Sequence, residues 1–371
     1  MNASTPEVNG TSRAAELDAR EWDGLVGPQD FFLSHRWLGS VEDTAGVPME
    51  YFTLRRDGRA VAALATALAD GAEPWKLGRT DSLLEYCAAE GFPQAEAFRA
   101  GLPGPAGPAL MPGLVCGGRH LGRTRVLCGA EATRADVAEL VRRAEDAAAA
   151  RGGRSVAFLY VDEDDTLLGE VLDERGYDSF VSGRHSRLDV PAGGFEEYLA
   201  RLSAHRRRRI LAERRAVRAA GVEVRLEPLA AAPLPRLAEL ETRLLAKYGF
   251  ADWRPEQTEL VLHSVLERFG DDAVVSLAVA DGTVQGFGLQ LRHGDQWYAH
   301  RAGFDYDFQG RLPLYYEVLY YHLVQQAPAH GVSVIHYGLG SEEAKRSRGC
   351  RATTQRCYVL RPDAADRPAP A

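Results

Sequence analysis

Two runs of strand character, Tyr51-Phe-Thr-Leu-Arg-Arg and Arg59-Ala-Val-Ala-Ala-Leu-Ala-Thr-Ala-Leu68, flank the pair Asp57-Gly58. They predict a β-hairpin, because a tight two-residue turn needs positive φ at both central positions and Asp-Gly tolerates it. The same plan returns at Val275–Ala280 and Thr283–Leu291, around Asp281-Gly282. After the first hairpin, Val137, Leu140, Val141 and Ala144 recur at helical spacing, predicting a helix from Ala135 to Arg151. Gly152-Gly153 stops it, and the apolar run Ser155–Tyr160 reads as a buried strand. The counterpart is a helix over Leu314–Ala329, a stop at Gly331 and a strand over Val332–Tyr337. Hairpin, helix, glycine stop and strand, repeated in order, predict a duplicated α/β fold with mixed α+β sheets.

Between the copies lies an amphipathic helix, Phe195–Leu202, and then a helix that Ser203 can cap and Gly221 can end. This second helix carries Arg206, Arg207, Arg208, Arg209, Arg214, Arg215 and Arg218 against the single acid Glu213. Arg207, Arg214 and Arg218 share a stripe, and Ile210, Leu211 and Val217 supply apolar contact. Guanidinium forks match phosphate oxygens, so Arg206, Arg207, Arg209 and Arg214 are candidate phosphate-binding residues. The alternative is a solvated face in an arginine-biased chain. The domains expected are a flexible stretch over 1–22, a first domain over 23–190, a second over 191–361 and a disordered tail over 362–371. Within the first, Gly71–Arg125 is rich in Gly and Pro and reads as a long loop region.

Composition narrows the function. The chain has 371 residues, enough for two domains, and its net charge of −8 argues against non-specific coating of nucleic acid. The cysteines Cys87, Cys116, Cys128, Cys350 and Cys357 show neither CxxC pairing nor metal-ligand spacing, so reduced thiols in a cytoplasmic protein without a metal are expected. No apolar leader and no run approaching the ~18 residues of a membrane span occur, so no membrane insertion is expected. The Gly-x-Ser-x-Gly elbow of serine hydrolases is missing as well.

Candidate chemistry gathers late in the chain. Trp297–Tyr306 reads as a strand entering a loop, Leu312-Pro-Leu-Tyr-Tyr-Glu317 opens a helix, and the strand ending at Tyr337 runs into Gly338-Leu-Gly340. Lys345, one of only three lysines with Lys76 and Lys247, follows before Gly349. Strand C-termini and helix openings are where α/β folds build sites. His300 and Glu317 are candidate proton acceptors, while Arg301 and Tyr337 are candidate ligand-binding groups. Most of Tyr315–Tyr321 reads as a packed core face.

The order Arg-rich helix, hairpin, Gly-Phe-Asp-Tyr306, Pro-Leu-Tyr-Tyr-Glu317, Gly-Leu-Gly340 and Lys345-x-x-x-Gly349 resembles the Fem-type (FemABX)/CelD-like branch of the GNAT acyltransferase superfamily. The resemblance spans Leu202–Gly349, and the first half more loosely through Phe32, Trp37 and the Asp57-Gly58 hairpin. It implies two tandem GNAT-like domains and an enzyme that transfers an aminoacyl or acyl group onto an amine. The donor implied is aminoacyl-tRNA as co-substrate, with no resident cofactor. Lys345 matches a family lysine, to which we assign an electrostatic role at the developing oxyanion. Two departures matter. Gln309-Gly-Arg-Leu-Pro-Leu314 lacks the second glycine of the acetyl-CoA loop, and Pro313 has no N–H, which argues against conventional CoA binding in the second half. Leu202–Gly221 is too short for a long helical arm, which points to a small-molecule amine acceptor over a cell-wall precursor, with a peptide amine also open. An acyl-CoA or acyl-carrier donor is the alternative enzyme reading. A non-catalytic tRNA- or nucleotide-binding protein is the alternative of another class.

Overall fold

The structure, a computed structural model, describes residues 7–46, 48–70, 76–117 and 122–361. The chain divides into two compact units. The first comprises Met1–His185 and Thr353–Ala371, and the second Ser186–Ala352. Among the described residues thirteen strands follow in chain order: β1 Glu7–Thr11, β2 Met49–Arg56, β3 Arg59–Ala69, β4 Gly113–Cys116, β5 Leu127–Cys128, β6 Ser155–Asp162, β7 Asp178–Asp189, β8 Glu223–Pro228, β9 Ala273–Ala280, β10 Thr283–His293, β11 Gln296–Phe304, β12 Val334–Gly338 and β13 Arg351–Leu360.

In the first unit the sheet order is β1-β2-β3-β4-β6-β13-β7, with β5 on β3. The β2–β3 hairpin turns at Asp57 (φ 52) and Gly58 (φ 78), the positive-φ pair its sequence demands. Helix Arg134–Ala150 starts on a capping box at Thr133 and buries Val137, Leu140, Val141, Ala144 and Ala148 against Phe52, Leu54, Leu64, Val156 and Phe158. A second cluster packs Trp22, Leu33 and Leu38 on Tyr51, Ala63 and Ala65.

Several boundaries differ from those expected. The region 1–22 is not wholly without structure: β1 pairs with β2, and Trp22 is buried with its Nε1 donating to the Leu33 carbonyl at 2.7 Å. The Gly71–Arg125 stretch, where described, is not a continuous loop but holds the helices Thr80–Ala89, Ala95–Ala100 and Ala106–Leu110 before β4. Its glycines and prolines break helices from one another, as at Gly91 (φ 69), and Leu83, Leu84 and Cys87 give one buried helical face. Residues 71–75 and 118–121 of that stretch lie outside the described residues, as do 1–6 and the tail 362–371. The second unit ends at Ala352 and not at residue 361, because β13 inserts between β6 and β7 of the first unit's sheet.

In the second unit the last residues of β7 begin the order β7-β12-β11-β10-β9-β8. Only β11 and β12 pair in parallel. The β9–β10 turn repeats the first hairpin, with Asp281 at φ 49 and Gly282 at φ 73. The arginine helix spans Ala204–Ala219, its first turn closed by the Ser203 side chain accepting from the Arg206 amide, and Gly221 at φ 72 follows its end. It buries Ile210, Arg214 and Val217, so of the Arg207, Arg214 and Arg218 stripe Arg214 alone is buried, Arg218 is exposed, and Leu211 lies outside. The helical run Leu314–His330, interrupted by a π turn over Glu317–Tyr321, shares this core. Helices Leu234–Lys247 and Pro255–Phe269 take the opposite face. A Cβ at Gly303 would overlap the backbone of Leu240 and Glu241, whereas the next residue, Phe304, sits in the core with Tyr315.

Candidate functional site

The two parallel strands of the second unit separate. Their pairing runs Gln296↔Val334, Trp297↔Ile335 and Tyr298↔His336 and then stops, although β11 continues to Phe304 and β12 to Gly338. A bulge lies on each flank at this level. On the β10 side Leu289 pairs with Arg301 and Gln290 with Ala299, leaving His300 as the extra residue; on the β7 side Tyr337 is skipped between His336 and Gly338. Each extra residue bends its strand and sharpens its twist, so the strands diverge. Ala299–Ala302 are accordingly half-buried in a strand whose other residues are buried. Over the described residues, no strand pairs with β11 beyond Tyr298 on this side.

Aromatic rings line the core beside the gap. Tyr337 stacks on Tyr320 with centroids 4.4 Å apart, Phe304 meets Tyr315 at 5.8 Å, and Tyr315 meets Tyr316 at 5.3 Å. Burial pushes the Tyr337 phenol well up, and its hydroxyl, although buried, has no partner among the described residues. Of the candidates, His300, Arg301, Tyr337 and Lys345 lie on or beside these two strands and the loop that follows β12.

Lys345 is 4% exposed, and its ammonium donates to the carbonyls of Tyr337 (2.7 Å), Gly338 (2.9 Å) and Leu339 (2.6 Å). All three hydrogens are thereby committed to the last two residues of β12 and the first of the loop that follows. Burial pulls its pKa down to about 8, opposed by Cys350 and Glu342. An ammonium so held does not itself offer a hydrogen to an oxyanion, which corrects the direct role expected from sequence. Glu317 departs similarly. Its carboxylate is 5% exposed and accepts from Arg214 Nε at 3.0 and 3.1 Å, and Arg214 Nη2 also reaches Gln325 at 2.6 Å. Burial raises the Glu317 pKa while Arg214 opposes. This pair is a structural anchor under the π turn, not a free base and a free phosphate ligand. Arg301 spends Nη1 on buried Glu241 at 2.9 Å, and its Nε lies 3.4 Å from His300 Nε2. Of the arginine helix, Arg209 pairs with Glu213 at 2.9 Å; the half-buried Arg206 and Arg207 have no acidic partner among the described residues.

The sequence reading missed one network. Glu213 accepts from Arg209 and from the Tyr321 hydroxyl, and lies 3.7 Å from Arg348. Arg348, 2% exposed, lays its guanidinium 3.3 Å above the centre of the Tyr316 ring and donates to Tyr321 Oη at 3.2 Å. The arginine helix, the π turn and the segment carrying Lys345 are thus tied together. The one available signal was Glu213 itself, a lone acid amid arginines.

His322 closes the buried group. Burial, then Arg214, lowers its pKa from 6.5 to about 4. The unfolded imidazole therefore takes a proton that the folded one refuses, so stability is intact above pH 6.5 and falls as pH drops toward 4. Between pH 7 and pH 5 the wild type should lose about 2 kcal/mol more in urea unfolding than His322→Leu; parallel losses would remove His322 from the acid response.

Among the described residues no helix is long and apolar enough to cross a membrane, and no cluster of His, Cys, Asp and Glu could hold a metal ion. Solved structures with the same fold include FemX, at TM-score 0.63 and 12% identity, covering 94% of this chain and 96% of that one. A tandem GNAT protein from the clavulanic acid biosynthesis pathway aligns at TM-score 0.53 and 13% identity, covering 96% and 98%. A conserved protein of unknown function from Bacteroides thetaiotaomicron aligns at TM-score 0.53 and 11% identity, covering 93% and 92%. These likenesses establish two tandem GNAT-like units of mixed α/β structure, as the sequence predicts. No curated protein matches the chain. The FemAB-like family model, described as peptidoglycan biosynthesis/recognition, matches residues 120–364, well over half the chain, and the protein belongs to the FemAB-like family.

Proposed function

We propose that the protein is an aminoacyltransferase that forms an amide on an amine of a peptide or peptidoglycan precursor, drawing the aminoacyl group from aminoacyl-tRNA. The observation that carries this reading is the gap between β11 and β12. Strand edges left without a partner can take up an extended chain by backbone hydrogen bonding, and aromatic rings stand beside them. The family description and the fold shared with FemX favour a peptide-type acceptor over the small molecule suggested by the missing helical arm.

In the reaction the amine nitrogen attacks the ester carbonyl, a C–N bond forms, the ester C–O bond breaks, and the amine proton passes to the departing ribose oxygen. The ester is already activated, so the enzyme must position the amine, accept its proton in passing and stabilise the oxyanion. His300, half-buried on the bulge of β11, is the side chain we assign to the proton. The unpaired guanidinium groups of Arg206 and Arg207 suit the tRNA phosphates.

Incubating the protein with charged tRNA and amine acceptors, and searching for new amides by mass spectrometry, tests this. We expect an amide that ribonuclease abolishes and that His300→Gln reduces about 100-fold in rate. A ribonuclease-resistant product formed from acyl-CoA would move the donor to the CoA class, consistent with the tandem GNAT neighbour. No amide with either donor pool would remove the transferase reading and leave binding alone.

A further inference from the structure

The carbonyl groups of Tyr337, Gly338 and Leu339 all point at one ammonium, that of Lys345. In a trans peptide unit the N–H points opposite to the C=O. The N–H groups of the same three units belong to Gly338, Leu339 and Gly340, and they face away from Lys345. Gly338 is paired with Ser186 in the sheet. The amides of Leu339 and Gly340 have no hydrogen-bond acceptor among the described residues. Burial changes in the same direction, from Lys345 enclosed beneath the loop to Gly340 exposed above it. Gly338 (φ 62), Gly340 (φ 74) and Ser341 (φ 48) adopt left-handed backbone, and a Cβ on either glycine would meet nothing within 4 Å. The outer side of the loop is therefore open. Successive outward N–H groups in such backbone form a concavity that holds anionic oxygen. The ammonium behind them polarises each unit and strengthens its donor.

We propose that the amides of Leu339 and Gly340 form an oxyanion-binding nest beside the β11–β12 gap, and that Lys345 is the positioning residue that builds it. This rests on the transferase reading for its role in turnover, but not for the binding itself. The ligand is an anionic oxygen. It is either a phosphate of the donor or the oxygen of the tetrahedral intermediate, and the two arms of the test separate these sources. Glu342 and Glu343 on the next turn oppose free anions, so affinity for a simple ion is expected to be in the millimolar range. A point charge fits three convergent carbonyls and a planar guanidinium does not, so Lys345→Arg does not restore the nest.

In the binding arm, the full chain labelled with 15N-leucine and 15N-glycine is titrated with inorganic pyrophosphate at pH 7. The Leu339 and Gly340 amide resonances should shift saturably in the wild type, and should lose that response in Lys345→Met. In the kinetic arm, Lys345→Met and Lys345→Arg are compared with the wild type. A loss in kcat on the order of 10²–10³-fold with KM nearly constant assigns the nest to the tetrahedral oxyanion; a rise in KM with kcat held assigns it to phosphate. The nest is refuted if the wild-type amides of Leu339 and Gly340 stay unmoved while pyrophosphate shifts other resonances. Lys345 is refuted as its builder if the response survives in Lys345→Met. The wild-type titration needs neither a variant nor a donor, so its failure is distinct from a failure to find any amide product.

Discussion

Replacing Arg214 with methionine should destabilise the second unit by about 3–5 kcal/mol, the cost of leaving a buried carboxylate without its partner. Glu317 is enclosed under the π turn, and Arg214 supplies its charge-assisted bonds, so the change strips both charge compensation and donors from a site water does not reach. The penalty should shrink at acidic pH. Burial already raises the Glu317 pKa, and without Arg214 the carboxyl takes up a proton more readily. Urea unfolding at pH 7 and pH 5 measures both effects. The double variant Arg214→Met/Glu317→Leu should recover most of the loss, because an apolar pair of similar volume needs no desolvated charge. A single-variant loss under about 1 kcal/mol would mean that the carboxylate finds water or another donor when Arg214 is gone.

The second large effect is steric. A methyl group at Gly303 would overlap backbone atoms of Leu240 and Glu241, which cannot rotate away as a side chain tip can. Gly303→Ala should therefore cost about 3 kcal/mol, at the upper end of overpacking penalties. It should also push helix Leu234–Lys247 off β11, lengthening the Arg301–Glu241 ion pair, now 2.9 Å, on the strand that borders the gap. Thermal unfolding measures the first effect and a crystal structure of the variant the second. An unchanged midpoint would show that helix and strand can separate at little expense.

Much of the fold was legible because its signals are local. Asp57-Gly58 and Asp281-Gly282 specify their turns within two residues, and Ser203 and Gly221 mark the arginine helix within one turn of each end. The helices of the Gly/Pro-rich stretch were overlooked because composition masked the spacing of Leu83, Leu84 and Cys87. At the site, sequence singled out Lys345, Glu317 and Arg214 but not their arrangement. Glu317 and Arg214 are 103 positions apart, and a helix face drawn in isolation cannot show that Arg214 points inward. The lysine's role depends on which way three carbonyls turn, and the gap depends on where two ladders slip by one residue. Neither backbone direction nor register is written in residue type alone.

The chain's late return to its first unit has a consequence for biosynthesis. Because β13 is threaded between β6 and β7, the first unit waits, with a vacant slot between those two strands, until Thr353–Leu360 has been synthesised. The intervening segment, contiguous from Ser186 to Ala352, has all its own strands available sooner. On the ribosome the expected order of maturation is thus inverted, the later half settling first, while the open edges of β6 and β7 are the surfaces a chaperone would need to shield.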